Sequence, residues 1–111
     1  MSRQHELYIE DILNSIESIE KYRQNNPEKR LGSENILTDA VIRNLEVIGE
    51  AVKNLPEDLK QERNDLPWRE IAGFRDVLIH QYFKVNPDII RDIVNNKLPE
   101  LKQTVQEISE N

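Results

Sequence analysis

Apolar residues recur at helical spacing along nearly the whole chain, and polar breaks separate them into stripes. The first stripe predicts an amphipathic helix over residues 4–24, with its acidic residues facing water. Asn25-Asn26-Pro27 should end this helix, because a proline ring disfavours helical backbone at the residue before it. The residues of the stripe are Tyr8 or Ile9, Ile12, Leu13, Ile16, Ile19 and Tyr22.

A second stripe predicts a helix from Ser33, a favourable N-cap residue, to about Leu55, which precedes Pro56. Residues 56–65 are polar, and we expect a short helical turn followed by a loop. The stripe consists of Leu37, Val41, Leu45, Ile48 and Val52, and Ala40, Val47 and Ala51 widen its apolar arc.

The third predicted helix covers residues 68–83, with apolar positions at Trp68, Ile71, Ala72, Ile79 and Tyr82. Pro67 suits its first turn, and the large ring of Trp68 is expected to anchor the core.

Asn86-Pro87-Asp88 is a typical helix start, so a last helix should follow, kinked or restarted at Pro99. Its apolar positions are Ile89, Ile90, Ile93, Val94, Leu98, Leu101, Val105 and Ile108. The pattern predicts an all-α, antiparallel four-helix bundle, or five helices if the kink or short turn is counted. We expect residues 1–111 to form a single domain.

Composition excludes several classes of protein. The chain has no cysteine and only two histidines, which leaves no disulfide framework and no thiolate nucleophile, and argues against a structural zinc site. The apolar runs are too short to span a membrane, and the N-terminus lacks the apolar segment of a signal peptide. We therefore expect a cytoplasmic protein without a metal or another cofactor.

The net charge of −6 argues against general binding of nucleic acid through a basic surface. A local cleft can nevertheless be positive on an acidic protein. Arg69, Arg75, Lys84 and Arg43 are candidates to line such a cleft.

The chemistry concentrates in residues 75–82. Arg75 falls within the apolar arc of its helix, where a guanidinium is costly unless an anion pairs with it. His80 lies about 140° around the helix from Arg75, so the two side chains do not meet on one straight helix. Asp76 stands one turn before His80 and can orient the imidazole, and Tyr82 adds a phenol on the side of Arg75. Two such helices paired across a two-fold axis would form composite clefts that suit phosphate chemistry.

The polar face of the second helix allows two interpretations. Asp39, Arg43, Glu46, Glu50 and Lys53 fall within about 80° of one another. They form either a solvent-exposed face with ion pairs between successive turns, or a surface from which Arg43 and Glu50 face the Arg75–His80 cleft or a second subunit.

The spacing Arg-x4-His-x-Tyr at Arg75, His80 and Tyr82 resembles the signature of the HEPN superfamily, and most closely that of HepT-like toxins of HepT/MntA toxin–antitoxin pairs. Flanking blocks agree over essentially the whole chain: residues 66–68, 71–73, 82–83 and 43–51. The resemblance implies a HEPN-type bundle that cleaves RNA, with Arg75 and His80 catalytic and Asp76 supporting. A homodimer through the motif helix is expected from the geometry of Arg75 and His80. The family more often carries Asn where this chain has Asp76.

The resemblance further implies a toxin of a type VII-like pair, whose MntA-like nucleotidyltransferase antitoxin would transfer AMP to Tyr82. Two other functions remain open. The chain could be a non-catalytic helical module that binds a nucleotide or docks a nucleotidyltransferase, which the acidic net charge favours. It could also be a purely structural bundle, in which Arg75 affects stability alone.

Overall fold

The computed structural model describes residues 2–74, 76 and 87–110, and this part of the chain is helical without a strand. The all-α class and the bundle architecture are therefore confirmed. The elements are α1 (Arg3–Asn25), α2 (Ile36–Lys53), α3 (Glu57–Glu62), α4 (Trp68–Ala72), α5 (Pro87–Asp92), a π-helical segment (Ile93–Lys97) and α6 (Leu98–Glu110).

The core lies where α1 packs against α2 and α6, and α4 covers another part of α2. The predicted stripe of α2 is buried throughout, as are the four apolar positions predicted for α6. The short helix expected between residues 56 and 65 is present as α3. The fully buried side chains are mostly aliphatic: Ile12, Val41, Leu45, Ile48, Val52, Ile90, Leu101 and Val105 each expose 0% of their surface.

Three residues assigned to the apolar stripes, Tyr22, Val47 and Ile89, are exposed instead, and Ile89 exposes 37% of its surface. Tyr22 is 42% exposed because it lies about 100° around α1 from the middle of the buried stripe. Val47 is also 42% exposed, since it lies on the side of α2 away from Leu45 and Val52. At the start of α1, Ile9 is buried and Tyr8 is only half-buried. The inward arc of each helix is therefore narrower than its sequence pattern predicted.

The predicted start of α2 at Ser33 is wrong. Asn35, not Ser33, is the N-cap residue, and its Oδ1 accepts a hydrogen bond of 2.9 Å from the backbone N–H of Thr38. The Asn35 side-chain amide also donates to the carbonyl of Arg30 at 2.9 Å. The hydroxyl of Thr38 accepts from the N–H of Gly32 at 3.0 Å, so the preceding loop is held outside the helix.

The loop before α2 contacts the start of α5. Gly32 has a φ of 97°, in the region that favours glycine, and its Cα faces Pro87 closely. The guanidinium of Arg91 donates to the carbonyl of Leu31 at 3.0 Å and forms an ion pair with Asp88 at 2.6 Å. These contacts fix the point at which the chain enters its last helical stretch.

A π-helical turn precedes Pro99. Proline has no backbone N–H, and its ring clashes with the carbonyl four residues earlier in a regular α-helix. The N–H of Leu98 bonds to the carbonyl of Ile93, five residues earlier, which widens the turn that the ring enters. The helical stretch thus passes from the π-helical segment into α6 at Pro99, and both parts place apolar residues in the core.

Candidate functional site

α4 is the part of the candidate site that the structure describes best. Trp68 is 8% exposed and Ile71 is 1% exposed, and both pack in the core on the side of α2. The indole N–H of Trp68 donates to the carbonyl of Arg63 at 2.8 Å. Outside the core, the ammonium of Lys97 lies 3.1 Å from the carboxylate of Glu70. Trp68 is thus the core anchor that the sequence predicted, and α4 is fixed from both sides.

The helix predicted over residues 68–83 has a cap within it. α4 ends at Ala72, and Gly73 caps it by donating its N–H to the carbonyls of Arg69 and Glu70 at 3.0 and 3.1 Å. Phe74 follows in helical conformation and is buried, with 3% of its surface exposed. Its burial was not foreseen, because a continuous helix from Trp68 assigns it to no stripe.

The predicted catalytic residues Arg75 and His80, and the predicted modification site Tyr82, lie outside the described residues. Asp76, the predicted supporting residue, is helical and exposed. Its expected contact with His80 stays a prediction, as does the position of Arg75 on the apolar side of the helix. The structure thus locates the entry to the motif, from Trp68 to Phe74, and the exit from it at Pro87.

Arg43 and Glu50 lie on the exposed side of α2 and belong to the same shallow groove between α1 and α2, of about 360 Å³. Val47 and the half-buried Tyr8 form part of its apolar surface. The structure brings the two predicted cleft residues together. Arg75 and His80 lie outside the described residues, so the expected approach of Arg43 and Glu50 to them stays a prediction.

A second groove, which the sequence did not reveal, lies between the C-terminal half of α1, the loop that follows it, and the start of α6. We call it the α1–α6 groove; its volume is about 650 Å³. Aliphatic side chains, including Ile16, Ile19 and Leu98, form its floor. Its rim carries Arg23, Lys29, Lys102 and Glu20. These residues are far apart in sequence, so no local motif could have indicated the groove.

Within residues 2–74, 76 and 87–110, no cluster of three or more histidine, cysteine, aspartate or glutamate side chains has the arrangement of a metal site. None of the helices in this part of the chain combines the length and the apolar content that a bilayer crossing requires.

The helical bundle and the motif order together define a protein of the HEPN class, and comparison with known families agrees. A family model described as "Ribonuclease HepT-like" matches residues 12–108, which include the whole of α2, α4 and the 75–82 motif. The chain therefore belongs to the HepT-like family of the HEPN superfamily.

Several relatives carry ribonuclease names. A protein of Thermococcus cleftensis named "Probable ribonuclease HepT" is 43% identical over 92% of this chain and 93% of its own length. A Methanocaldococcus jannaschii protein named "Gamma-glutamylcyclotransferase and putative RNase" is 40% identical over 99% of this chain and 50% of its own length. A Caldanaerobacter subterraneus protein named "Putative RNase" is 52% identical over 66% of this chain and 65% of its own length. This chain thus spans about half of the second relative and two thirds of the third. No solved structure matches the chain.

Proposed function

We propose that this protein is a metal-independent endoribonuclease that acts as a homodimer, and that it is the toxin of a type VII-like toxin–antitoxin pair in the cytoplasm. The observation that carries the proposal is the family match over residues 12–108, because the matched segment contains Arg75, His80 and Tyr82 at the spacing of the HEPN signature. Relatives named as ribonucleases support the choice of RNA as substrate. In this proposal the chain contributes a single HepT-like domain.

The proposed reaction is attack of the RNA 2′-hydroxyl oxygen on the adjacent phosphorus. His80 would accept the hydroxyl proton, since an imidazole titrates near neutral pH. Arg75 would donate two parallel hydrogen bonds to the phosphate oxygens as negative charge builds in the transition state. The bond to the 5′-oxygen then breaks, that oxygen takes up a proton, and a 2′,3′-cyclic phosphate remains. Asp76 would orient the imidazole of His80.

A dimer through the motif helix is part of this proposal. On one straight helix, Arg75 and His80 point about 140° apart and do not act on the same phosphate. Two helices related by a two-fold axis would combine the arginine of one protomer with the histidine of the other, and would provide two histidines for the two proton transfers. Arg43 and Glu50, neighbours on the exposed side of α2, are proposed to line the edge of this cleft.

The proposed partner is an MntA-like nucleotidyltransferase antitoxin. It would transfer AMP from ATP to the Tyr82 oxygen and release pyrophosphate. Each AMP would bring a bulky anion into a cleft that must accept an anionic RNA backbone, so steric and electrostatic exclusion would act together.

The test is RNA cleavage by the purified protein in excess EDTA, with the product ends analysed for 2′,3′-cyclic phosphate. We expect wild type to cleave and His80→Ala to lose at least about a hundredfold in rate, as for removal of a general base. His5→Ala is the matched control, because His5 is the other histidine and lies in the first turns of α1. Circular dichroism must show both variants folded. Full activity of a folded His80→Ala variant would exclude His80 from the reaction.

A second candidate function is a non-catalytic helical module that binds a nucleotide or docks a nucleotidyltransferase. The net charge of −6 favours it, since such a charge opposes RNA binding in general. This function predicts ATP or partner binding by calorimetry with no cleavage of any RNA by wild type. The cleavage assay in EDTA therefore separates the two functions.

A further inference from the structure

The α1–α6 groove concentrates positive charge on an acidic protein. Among the described residues that line it, the cations are Arg23, Lys29 and Lys102, and Glu20 is the one carboxylate. The chain as a whole carries a net charge of −6. The rim of the groove therefore carries a net positive charge, opposite in sign to the charge of the whole chain. A positive surface is what contact with a polyanion requires.

The cations differ in how they are held. The ammonium of Lys102 lies 2.8 and 3.2 Å from the two carboxylate oxygens of Glu20, which connects α6 to α1. The ammonium of Lys29 lies 3.8 Å from a carboxylate oxygen of Glu28, which makes a long and therefore weak ion pair. Among the described residues, the exposed guanidinium of Arg23 makes no hydrogen bond or ion pair. Arg23 and Lys29 are thus available to an incoming anion, and Lys102 becomes available when it exchanges Glu20 for a phosphate.

The uncharged part of the lining also suits a nucleic-acid strand. The lining also includes the side-chain amides of Gln24 and Asn95, and carboxamides are common donors to phosphate and sugar oxygens. The amide of Asn26, also in the lining, already donates to the carbonyl of Tyr22 at 2.9 Å. The floor is aliphatic, with Ile19 and Leu98 among its side chains, and offers an apolar surface to ribose and base faces.

We infer that the α1–α6 groove binds the phosphate backbone of single-stranded RNA, with Arg23 and Lys29 as direct contacts and Glu20 as an opposing charge that weakens binding. The inference rests on the proposed function for its choice of RNA. It accounts for how an acidic protein could hold an RNA strand beyond the motif itself.

The test measures binding of a fluorescein-labelled 2′-O-methyl RNA oligonucleotide by anisotropy. This probe has no free 2′-hydroxyl, so binding is measured whether or not the protein cleaves RNA. Arg23→Gln and Lys29→Gln should each weaken binding about three- to tenfold, and each should reduce the slope of log affinity against log salt by about 0.7. Lys21→Gln is the matched control, since Lys21 is exposed on the same helix outside the groove, and should stay within about twofold of wild type.

Removal of a negative charge from the groove tests the same inference, because it should strengthen RNA binding. Glu20→Gln should tighten binding about threefold, because it removes the opposing carboxylate and releases Lys102, whereas Glu17→Gln, on the exposed side of α1, should change little. Thermal melts establish that each variant is folded. If Arg23→Gln and Lys29→Gln bind like Lys21→Gln, or if Glu20→Gln binds like Glu17→Gln, the groove does not carry RNA. Cleavage of ordinary RNA in EDTA would still decide the proposed function independently.

Discussion

Gly32 and Pro87 meet so closely that a Cβ atom at position 32 would stand 2.7 Å from the Cβ of Pro87 and 2.9 Å from its Cα. The contact joins the loop before α2 to the first residue of α5, although the two residues are far apart in sequence. It lies at the described exit from the motif.

Gly32→Ala should lower the free energy of unfolding by about 2–4 kcal/mol, because alanine is strained at a φ of 97° and its methyl group overlaps Pro87. Urea denaturation followed by circular dichroism measures the loss. Gly73→Ala is the matched control: a Cβ there would lie 3.4 Å from the Arg69 carbonyl oxygen, an ordinary contact, at a negative φ of −82°. It should change stability by less than about 1 kcal/mol. Equal effects of the two substitutions would contradict this account of the loop.

Asn35→Ala should destabilise the protein by about 1 kcal/mol, because it removes the side-chain oxygen that accepts from the N–H of Thr38. Ser33→Ala should have an effect below about 0.5 kcal/mol, since Ser33 is exposed and does not cap the helix. Parallel urea titrations distinguish the two positions. A larger loss of stability from Ser33→Ala than from Asn35→Ala would instead identify Ser33 as the N-cap residue, as the sequence pattern predicted.

Leu45→Ala should cost about 2–5 kcal/mol, since Leu45 is 0% exposed and its truncation leaves a cavity between the helices. Val47→Ala, two residues further along α2, should cost less than about 0.5 kcal/mol because Val47 is 42% exposed. Thermal unfolding measures both. A large loss from Val47→Ala in a monomeric preparation would show that this side chain is buried after all.

Tyr82→Phe should abolish labelling when the protein is incubated with the proposed nucleotidyltransferase partner and α-³²P-labelled ATP, because phenylalanine has no oxygen to accept AMP. Tyr22→Phe is the control, since Tyr22 is an exposed tyrosine, at 42%, in the last turns of α1. It should be labelled like wild type. Label retained by Tyr82→Phe and lost from Tyr22→Phe would move the modification site to α1.

The sequence pattern was sufficient to predict α1, α2 and the last helical stretch, because the 3.6-residue period of positions such as Leu37, Val41 and Leu45 is set directly by helix geometry. It was less able to predict the residue at which a helix begins or ends. Ser33 and Asn35 are both good N-cap residues, and the choice depends on a hydrogen bond from Gly32 to Thr38 that no local rule contains.

Features formed by residues far apart in the chain could not be predicted from the sequence either. Glu20 and Lys102 form an ion pair only because α1 and α6 pack side by side, and the α1–α6 groove depends on the same packing. The opposite holds for the candidate catalytic residues. Arg75, His80 and Tyr82 were identified by their spacing together with the flanking blocks that carry the family resemblance, and their contacts stay predictions.

The π-helical segment carries a consequence for insertions and deletions in this family. Its turn holds one surplus residue, so loss of a single residue between Ile93 and Leu98 would bring these two side chains to ordinary α-helical spacing without rotating α6 away from the core. The same loss elsewhere in the last helical stretch would turn every later side chain by about 100°. The shortened helix would, however, press the ring of Pro99 against a carbonyl of the preceding turn. We therefore expect homologues that lack this residue to have replaced the proline as well.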